Sequence, residues 1–238
     1  MPINIVATAH GTNSPDGRST IESIIENLRS LLSQRLGPVY HVYEAYVDVQ
    51  FPTLDEVLEG LHSEDQTIIL PLLLSTGYHT QVDMRDAAKE SGISDIAIAA
   101  PLGPSPLMAQ LMHHRLIEKG WRPGDTVVMA GAGSSRTDGQ EAVARQCAML
   151  SNVLAQEVTF GFIADISPTI EETVTEAQGN GPIFVANYLL GRGFFDQKLK
   201  KLGHQRGAHI AEPLVVSGDQ QSVDVICQCA LDSLGQLE

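Results

Sequence analysis

Residues 68 to 79 read Ile68-Ile-Leu-Pro-Leu-Leu-Leu-Ser-Thr-Gly-Tyr-His79, and this stretch decides the fold class of the chain. The unbroken Ile/Leu run is typical of a strand that is buried on both faces, as in a parallel α/β sheet. Ligands of such sheets bind in the crevice beyond the carboxyl ends of the strands. The stretch therefore predicts that His79 lies at a ligand-binding edge, where the chain leaves the sheet.

The beginning of the chain has the same arrangement. Residues 3–9 predict a strand that leads directly into His10, and residues 41–47 predict a second strand that leads into Asp48. The carboxyl ends of parallel strands meet at one edge of a sheet. Two histidines and one carboxylate are therefore expected around a single crevice.

Strand and helix patterns alternate along the rest of the chain, which is typical of an α/β fold. Ser19 is expected to cap the first helix, after a polar loop with a Pro-Asp-Gly turn signature. Later elements are expected as a helix over Val82–Ser91, a strand over Ile96–Ala100, and a helix that begins at Pro106, behind the N-cap Ser105, and ends near Lys119.

The second half of the chain repeats the first. Residues 131–139 echo residues 9–17 at an offset of 122, and residues 167–173 echo residues 51–57 at an offset of 116. The repeat predicts two similar parallel-sheet α/β lobes that face a central cleft. Their expected bounds are residues 1–119 and 125–238, joined by a Gly- and Pro-containing linker.

The polar groups at the strand ends are not repeated. The repeat aligns His10 with Ala132, His79 with Phe195, and Asp48 with Ala164. The first lobe is therefore expected to carry the chemistry, and the second lobe is expected to wall the cleft.

Two imidazoles and a carboxylate can bind a divalent metal ion. Histidine also titrates near neutral pH and can accept protons. Insertion of a metal into a tetrapyrrole needs both abilities, because the ion must be presented to the ring while two pyrrole protons are removed. Two alternatives remain: a metal or tetrapyrrole carrier without turnover, and a two-lobed binding protein for another small anion.

Composition excludes several other classes. A formal net charge of -14 argues against nucleic acid as a partner. The apolar runs are too short to span a membrane, and the N-terminus lacks the features of a signal peptide, which predicts a cytoplasmic protein. The cysteines Cys147, Cys227 and Cys229 are expected to be buried or idle thiols rather than a disulfide framework or a metal site.

Several blocks of the sequence resemble the sirohydrochlorin chelatase family, which includes the cobaltochelatase and ferrochelatase of cobalamin and sirohaem synthesis. The resemblance covers the first lobe in order and the second lobe more faintly, and its Gly-Tyr-His block is fairly specific. The blocks are Ala9-His-Gly-Thr12, Ala45-Tyr-Val-Asp48 followed by Pro52, Leu70-Pro-Leu-Leu-Leu-Ser-Thr-Gly-Tyr-His79 followed by Asp83-Met84, and Pro101-Leu-Gly-Pro104.

The resemblance implies a two-lobed chelatase, a lyase that inserts Fe2+ or Co2+ into sirohydrochlorin. The metal is then a substrate, and no permanent cofactor is expected. His10 and His79 take the metal-handling and proton-accepting roles. Asp48 stands where the family often has glutamate, so Glu44 is the alternative carboxylate.

Sirohydrochlorin carries eight carboxylates, so a chain of this net charge needs local positive charge to bind it. At least two of the arginines near the expected cleft should contact the substrate. Loop hydroxyls and an amide are further candidates for hydrogen bonds, although ordinary loop polarity explains them equally well. The arginines are Arg18, Arg85, Arg136 and Arg192, and the loop residues are Thr12, Asn13 and Ser14. A monomer or a homodimer is expected, with no nucleic-acid or membrane partner.

Overall fold

The computed structural model describes residues 3–36, 39–75, 77–164, 166–179 and 181–237, without the side chains of residues 36 and 78–81. The strands are β1 (Ile3–Ala9), β2 (Tyr40–Tyr46), β3 (Gln66–Pro71), β4 (Ile96–Ile98), β5 (Thr126–Gly131), β6 (Thr159–Phe162), β7 (Ile183–Tyr188) and β8 (His209–Ile210). The helices are α1 (Pro15–Leu36), α2 (Leu54–Glu59), α3 (Tyr78–Glu90), α4 (Pro106–Lys119), α5 (Thr137–Leu154), α6 (Ile170–Glu176), α7 (Phe194–Arg206) and α8 (Gln220–Leu234), followed by a 3-10 turn. No described helix combines the length and the hydropathy that a membrane crossing requires.

The strands form two four-stranded sheets with the same topology. Their orders are β2-β1-β3-β4 and β6-β5-β7-β8, and all pairs are parallel. The pairing register is also repeated, because Ala9 pairs with Tyr46 in one sheet and Gly131 pairs with Phe162 in the other. The predicted fold class, two similar parallel-sheet α/β lobes, is confirmed.

The first helix begins earlier than the sequence pattern predicted. Pro15 is its first residue, so Ser19 lies inside the helix and does not cap it. Ser14 precedes the helix instead, and its hydroxyl oxygen accepts the Gly17 N–H at 3.4 Å. Proline is favoured at the first helical position because its fixed φ suits a helix and it lacks the N–H that would have no acceptor there. The Pro-Asp-Gly sequence therefore starts a helix here rather than a separate turn.

The apolar run around residue 70 is only partly a strand. The strand β3 ends at Pro71, and His79 lies eight residues later in the first turn of α3, so the strand is shorter than the apolar run that predicted it. The intervening segment is apolar because it is itself packed into the protein, and Leu72 is only 2% exposed. The helix α3 accordingly begins at Tyr78 rather than near Val82.

Two other strands differ slightly from their expected bounds. The strand β2 covers Tyr40–Tyr46, one residue earlier than expected at each end, and β4 ends at Ile98 instead of Ala100. The start and end of α4 are as predicted. Ser105 accepts the Leu107 N–H, and Gly120 takes a left-handed conformation at the carboxyl end of the helix.

The hydrophobic core links the two lobes. One cluster of buried side chains draws members from both sheets, such as Ile5 and Leu70 of the first and Val127 and Phe184 of the second. Two smaller clusters each belong to one lobe, and they lie where α2 and α3 cover the first sheet and where α6 and α7 cover the second. The lobes are therefore joined by a common apolar interior.

The last helix of each lobe packs against the other lobe. The helix α4 contacts α5 and β7, and α8 contacts α1 and β3. Hydrogen bonds also join the two lobes where these helices pack. The Asn27 amide donates to Asp224 at 2.8 Å, and the Ser105 N–H donates to Gln146 at 2.8 Å. The expected lobe bounds, residues 1–119 and 125–238, divide the chain in sequence order. They stay a prediction.

A buried arginine links α4 to α8, the two helices that each pack against the opposite lobe. Arg115 of α4 donates to the Leu214 carbonyl at 3.0 Å and is ion-paired with Asp219, which caps the start of α8. Burial alone would raise the pKa of the Asp219 carboxyl, but the Arg115 guanidinium and hydrogen bonds from Ser222 together lower that pKa below its usual value. The pair therefore keeps its charges at neutral pH and holds α4 against α8.

Candidate active site

His10 lies in a turn that is held against the end of β2. Its carbonyl accepts the Asp48 N–H at 3.0 Å, and its imidazole is exposed without a hydrogen bond to any described residue. Gly11 follows with a φ of 96°, and a Cβ atom there would lie 2.0 Å from the Asp48 carbonyl oxygen. Only glycine combines that backbone conformation with that close approach. The turn therefore leaves the His10 imidazole exposed, while the backbone of the turn packs against the backbone of Asp48.

Asp48 is the carboxylate whose backbone is nearest to His10. One of its carboxylate oxygens accepts the Val49 N–H at 2.8 Å, and its carbonyl accepts the Gln50 N–H at 2.7 Å. This tight turn gives Val49 a φ of 67°, which is unusual for a β-branched residue. Asp48 is exposed, so its second carboxylate oxygen can bind a ligand.

Glu44 lies deeper in the same lobe. It pairs with Ala7 in the sheet register, three residues before His10, which is about 10 Å along the strand. Its carboxylate accepts a hydrogen bond from the Tyr46 hydroxyl. Burial raises the pKa of Tyr46, and the neighbouring Glu44 raises it further, so Tyr46 is a constant donor at neutral pH.

A side-chain network ties Glu44 to the loop after His10. The Gln50 side chain is close enough to the Tyr46 hydroxyl to lower its pKa slightly, and its carbonyl oxygen accepts the Thr12 N–H at 2.7 Å. Neither Tyr46 nor Gln50 was a candidate from the sequence, because the contacts join residues that are far apart in the chain. The Gln50 bond to Thr12 therefore holds the loop in addition to the Gly11 contact with Asp48.

His79 is placed by its backbone only. It lies in the first turn of α3, behind Gly77 as the N-cap residue, and its side chain lies outside the described part of the chain. Among the residues that the structure describes, no three or more His, Cys, Asp or Glu side chains are grouped for metal binding. The pairing of His79 with His10 and Asp48 around one metal ion therefore stays a prediction.

The polar loop residues have different local roles. The Thr12 side chain accepts the Ser14 N–H at 3.1 Å, and the Thr12 carbonyl accepts Nε of Arg18 at 3.0 Å. Ser14 precedes the first helix, and its hydroxyl oxygen accepts the Gly17 N–H, as described above. Asn13 is exposed and has no hydrogen bond within the described ranges, so it is the member of this loop with an uncommitted side chain.

Two of the candidate arginines are paired with acids. Arg136 makes two hydrogen bonds of 2.8 Å with Asp138. Arg192 lies 3.0 Å from Glu212 and 3.8 Å from Asp16, which belongs to the other lobe. These acids neutralise much of the positive charge that the sequence suggested for the mouth of the cleft.

Arg85 differs from Arg136 and Arg192. It is exposed on α3 and has no ion pair with the residues that the structure describes. Its helix is the one that carries His79. Arg85 can therefore meet an anionic substrate without first leaving a partner.

The second lobe keeps the turn but not its chemistry. The Ala132 carbonyl accepts the Ala164 N–H at 3.0 Å, and the Ala164 carbonyl accepts the Ile166 N–H at 2.8 Å. Gly133 has a φ of 111°, as Gly11 has 96°. The backbone of the His10 turn is thus reproduced with alanine in place of both polar residues.

The three cysteines are buried and free, as expected. Burial raises the pKa of Cys147 and of Cys227 to about 12. Metal ions bind thiolates rather than thiols, and these groups are protonated at neutral pH. They are therefore poor metal ligands.

A cavity of about 460 Å³ lies near the crossover between the lobes, apart from the His10 turn. Residues 100–106, Asp138 and Arg145 of α5, and the end of α8 line it. None of its lining residues is a metal-handling candidate. The chemistry is therefore better assigned to the exposed turn at His10 than to this cavity.

The fold and the histidine turn define a two-lobed α/β protein of the chelatase type, in which one lobe carries the polar site. The family model CbiX matches residues 4–119 and 126–214. The chain belongs to the CbiX family, and the resemblance to the sirohydrochlorin chelatases is confirmed. No curated protein sequence matches the chain.

Solved structures share the fold along nearly the whole chain. SirB from Bacillus subtilis with Fe3+ is 21% identical, with a TM-score of 0.77 over 99% of this chain and 98% of that one. The sirohydrochlorin chelatase SirB from Bacillus subtilis subspecies spizizenii in complex with cobalt is 19% identical, with a TM-score of 0.74 over 99% and 95%. CbiX described as the terminal enzyme of sirohaem biosynthesis in denitrifying bacteria is 20% identical, with a TM-score of 0.68 over 98% and 99%.

Proposed function

We propose that this protein inserts a divalent metal ion, Fe2+ or Co2+, into sirohydrochlorin, with the metal as a substrate and no permanent cofactor. One observation carries the proposal. The two lobes share a turn with the same backbone hydrogen bonds, but only the first lobe has kept an imidazole and a carboxylate on it. Membership of the CbiX family and the structures of SirB with iron and with cobalt support the same activity.

His10 is suited to present the ion. Its imidazole is exposed and is not held by another side chain among the described residues, so a hydrated ion can reach it. Neutral imidazole and carboxylate are both ligands for divalent iron and cobalt. A small set of ligands leaves other positions on the ion open. The ion can therefore pass from the protein to the four ring nitrogens.

The same residues can remove the two pyrrole protons. Histidine has an ordinary pKa near neutrality, so an imidazole that gives up the metal can take a proton. We assign these metal and proton roles to His10 and His79. Two imidazoles suffice for the two protons that leave the ring, and no redox step or nucleophile is required.

Asp48 is the carboxylate that we favour for the metal. Its backbone contacts that of His10, whereas Glu44 lies about 10 Å deeper along the strand. The Glu44 carboxylate also has a donor already, the Tyr46 hydroxyl. We therefore propose that Asp48 contributes to the metal site and that Glu44 supports the loop through Tyr46 and Gln50.

Arginines at the lobe edges provide the positive charge for substrate carboxylates. Arg85 can bind one directly, because it has no acidic partner among the described residues. Arg136 and Arg192 would exchange Asp138 and Asp16 for substrate carboxylates. Thr12, Asn13 and Ser14 are the hydrogen-bonding candidates, and Asn13 is the one with an uncommitted side chain.

An anaerobic insertion assay tests the proposal. The protein is mixed with sirohydrochlorin and Fe2+, Co2+ or Ni2+ in turn, and absorbance follows the metallated product. We expect catalytic turnover above the spontaneous rate with at least one of these ions. Binding of the tetrapyrrole without turnover would instead identify a carrier, and no binding would refute both functions.

A further inference from the structure

Tyr188 of the second lobe makes a polar contact with the first lobe. It is the last residue of β7, it is 2% exposed, and its hydroxyl donates to the Leu74 carbonyl at 3.1 Å. Its only other hydrogen-bond partner among the described residues is the Met108 sulfur at 3.8 Å. A buried tyrosine hydroxyl normally finds a hydrogen-bond partner, and here Leu74 is that partner.

Leu74 lies in the segment that leads from β3 to His79. Successive residues of this segment are each held by a hydrogen bond. The Leu72 N–H donates to Thr8 of β1 at 2.8 Å, and the Leu73 carbonyl accepts the Leu102 N–H at 2.8 Å. The next carbonyl, that of Leu74, is held by Tyr188. One anchor of this segment therefore comes from the other lobe.

The repeat shows that this contact is specific to the first lobe. In the second lobe, the corresponding carbonyls of Leu189 and Leu190 accept the N–H groups of Leu214 and Val215, at 3.0 and 2.9 Å. Both of these bonds stay within one lobe. In the first lobe, the hydroxyl of Tyr188 takes the place of the second N–H.

The repeat position of Tyr188 in the first lobe is Leu72, as the matching sheet registers show. Leucine has no hydroxyl, so the first lobe cannot return the contact. The support is therefore one-directional, from the second lobe, which lacks the strand-end histidines, to the first lobe, which carries them.

Gly103 makes room for this contact. A Cβ atom at this position would lie 2.2 Å from the Tyr188 hydroxyl oxygen and 2.6 Å from the Leu74 carbonyl oxygen. Any side chain there would push the two groups apart. The hydrogen bond thus depends on three segments of the chain.

The residues after Tyr188 reach the other histidine segment as well. A Cβ atom at Gly17 would lie 2.8 Å from the Arg192 carbonyl oxygen, and one at Gly191 would lie 2.9 Å from the Thr20 methyl carbon. Gly17 and Thr20 belong to the first helix, which follows the His10 turn. Residues 188–192 of the second lobe therefore contact the segment that leads to His79 and the helix that follows the His10 turn.

We infer that Tyr188 is a positioning residue, which fixes the segment of the first lobe that carries His79. The inference rests on the proposed function, because it acts through a histidine that handles the metal. It also gives the second lobe a role beyond walling the cleft. The second lobe aligns the segments of the first lobe that lead to or follow its metal-handling histidines.

The test is the variant Tyr188→Phe, which removes only the hydroxyl. A net hydrogen bond corresponds to a change of up to about tenfold, so we expect about tenfold weaker binding of Co2+ to the protein alone and a similar rise in the KM for the metal. The KM for sirohydrochlorin at saturating metal should stay within about twofold of the wild-type value. Binding of Co2+ is followed by its absorption spectrum under anaerobic conditions.

Two further variants separate positioning from a general loss of packing. Met108→Leu alters the other neighbour of the hydroxyl but leaves the bond to Leu74, and it should bind Co2+ like the wild type. In a His79→Ala background, Tyr188→Phe should weaken Co2+ binding no further, because both changes act on one ligand. Independent effects of the two changes, or unchanged Co2+ binding by Tyr188→Phe, would overturn the inference. Wild-type protein that inserts no metal would instead overturn the proposed function.

Discussion

Replacement of His10 by alanine should reduce the rate of metal insertion by at least about 100-fold, the lower end of what a positioned proton acceptor contributes. The imidazole is exposed and has no hydrogen bond to a described residue, so its removal should change the free energy of unfolding by less than about 0.5 kcal/mol. The rate is measured by absorbance with sirohydrochlorin and Co2+, and the stability by urea unfolding.

His204→Ala is the matched control for this change. His204 is also an exposed histidine, but it lies on α7 in the lobe that has lost the polar turn. Its removal should leave the insertion rate unchanged. If the two variants lose activity equally, or if His10→Ala inserts metal at the wild-type rate, the role of His10 is wrong.

The second large effect is expected for Gly11→Ala. The new methyl group would lie 2.0 Å from the Asp48 carbonyl oxygen, at a φ of 96° that alanine rarely adopts. We expect a strain of about 1–3 kcal/mol in the free energy of unfolding, measured by urea titration. The turn must also move away from Asp48, so insertion should fall by about tenfold or more, since small displacements of catalytic groups have large effects on rate.

The repeat supplies a control for this variant too. Gly133 occupies the equivalent turn of the second lobe with a φ of 111°, and its added Cβ would meet the Ala164 Cβ at 2.9 Å. Gly133→Ala should therefore lose stability in a similar way and keep its activity. A similar loss of insertion in both variants would mean that stability, not the geometry of the His10 turn, explains the effect.

Much of the fold could be predicted because local patterns and packing agree. The Ser105-Pro106 start of α4 and its Gly120 end are local signals, and the structure has both. The two lobes followed from the internal repeat, and the shared sheet registers bear this out. His10 was also placed correctly, since a strand that ends at Ala9 leaves the next residue at the edge of the sheet.

The errors arose where tertiary packing overrides a local pattern. Leu72 and its neighbours read as a strand because they are apolar, but they are apolar because the loop after β3 is buried. Pro15-Asp-Gly17 suits both a turn and the first turn of a helix, and no local rule separates the two. The exchange of α4 and α8 between lobes depends on contacts between residues far apart in the chain.

The site was predictable only in part, for a related reason. Histidine and aspartate stand out by their chemistry, so His10 and Asp48 could be named as candidates from the sequence. The residues that hold them do not, because the Gln50 contact with Thr12 and the Tyr188 contact with Leu74 join different elements. Such supporting contacts are visible only in three dimensions.

The central claim is that the first lobe alone handles the metal, through His10 and His79. Anomalous diffraction from crystals of the protein with Co2+ locates the ion directly. We expect one strong peak within about 2.1 Å of an imidazole nitrogen of each of these two histidines, the usual length of such metal–nitrogen bonds. A cobalt ion bound elsewhere, for example at His204 or His209 of the second lobe, with none at His10, would contradict it.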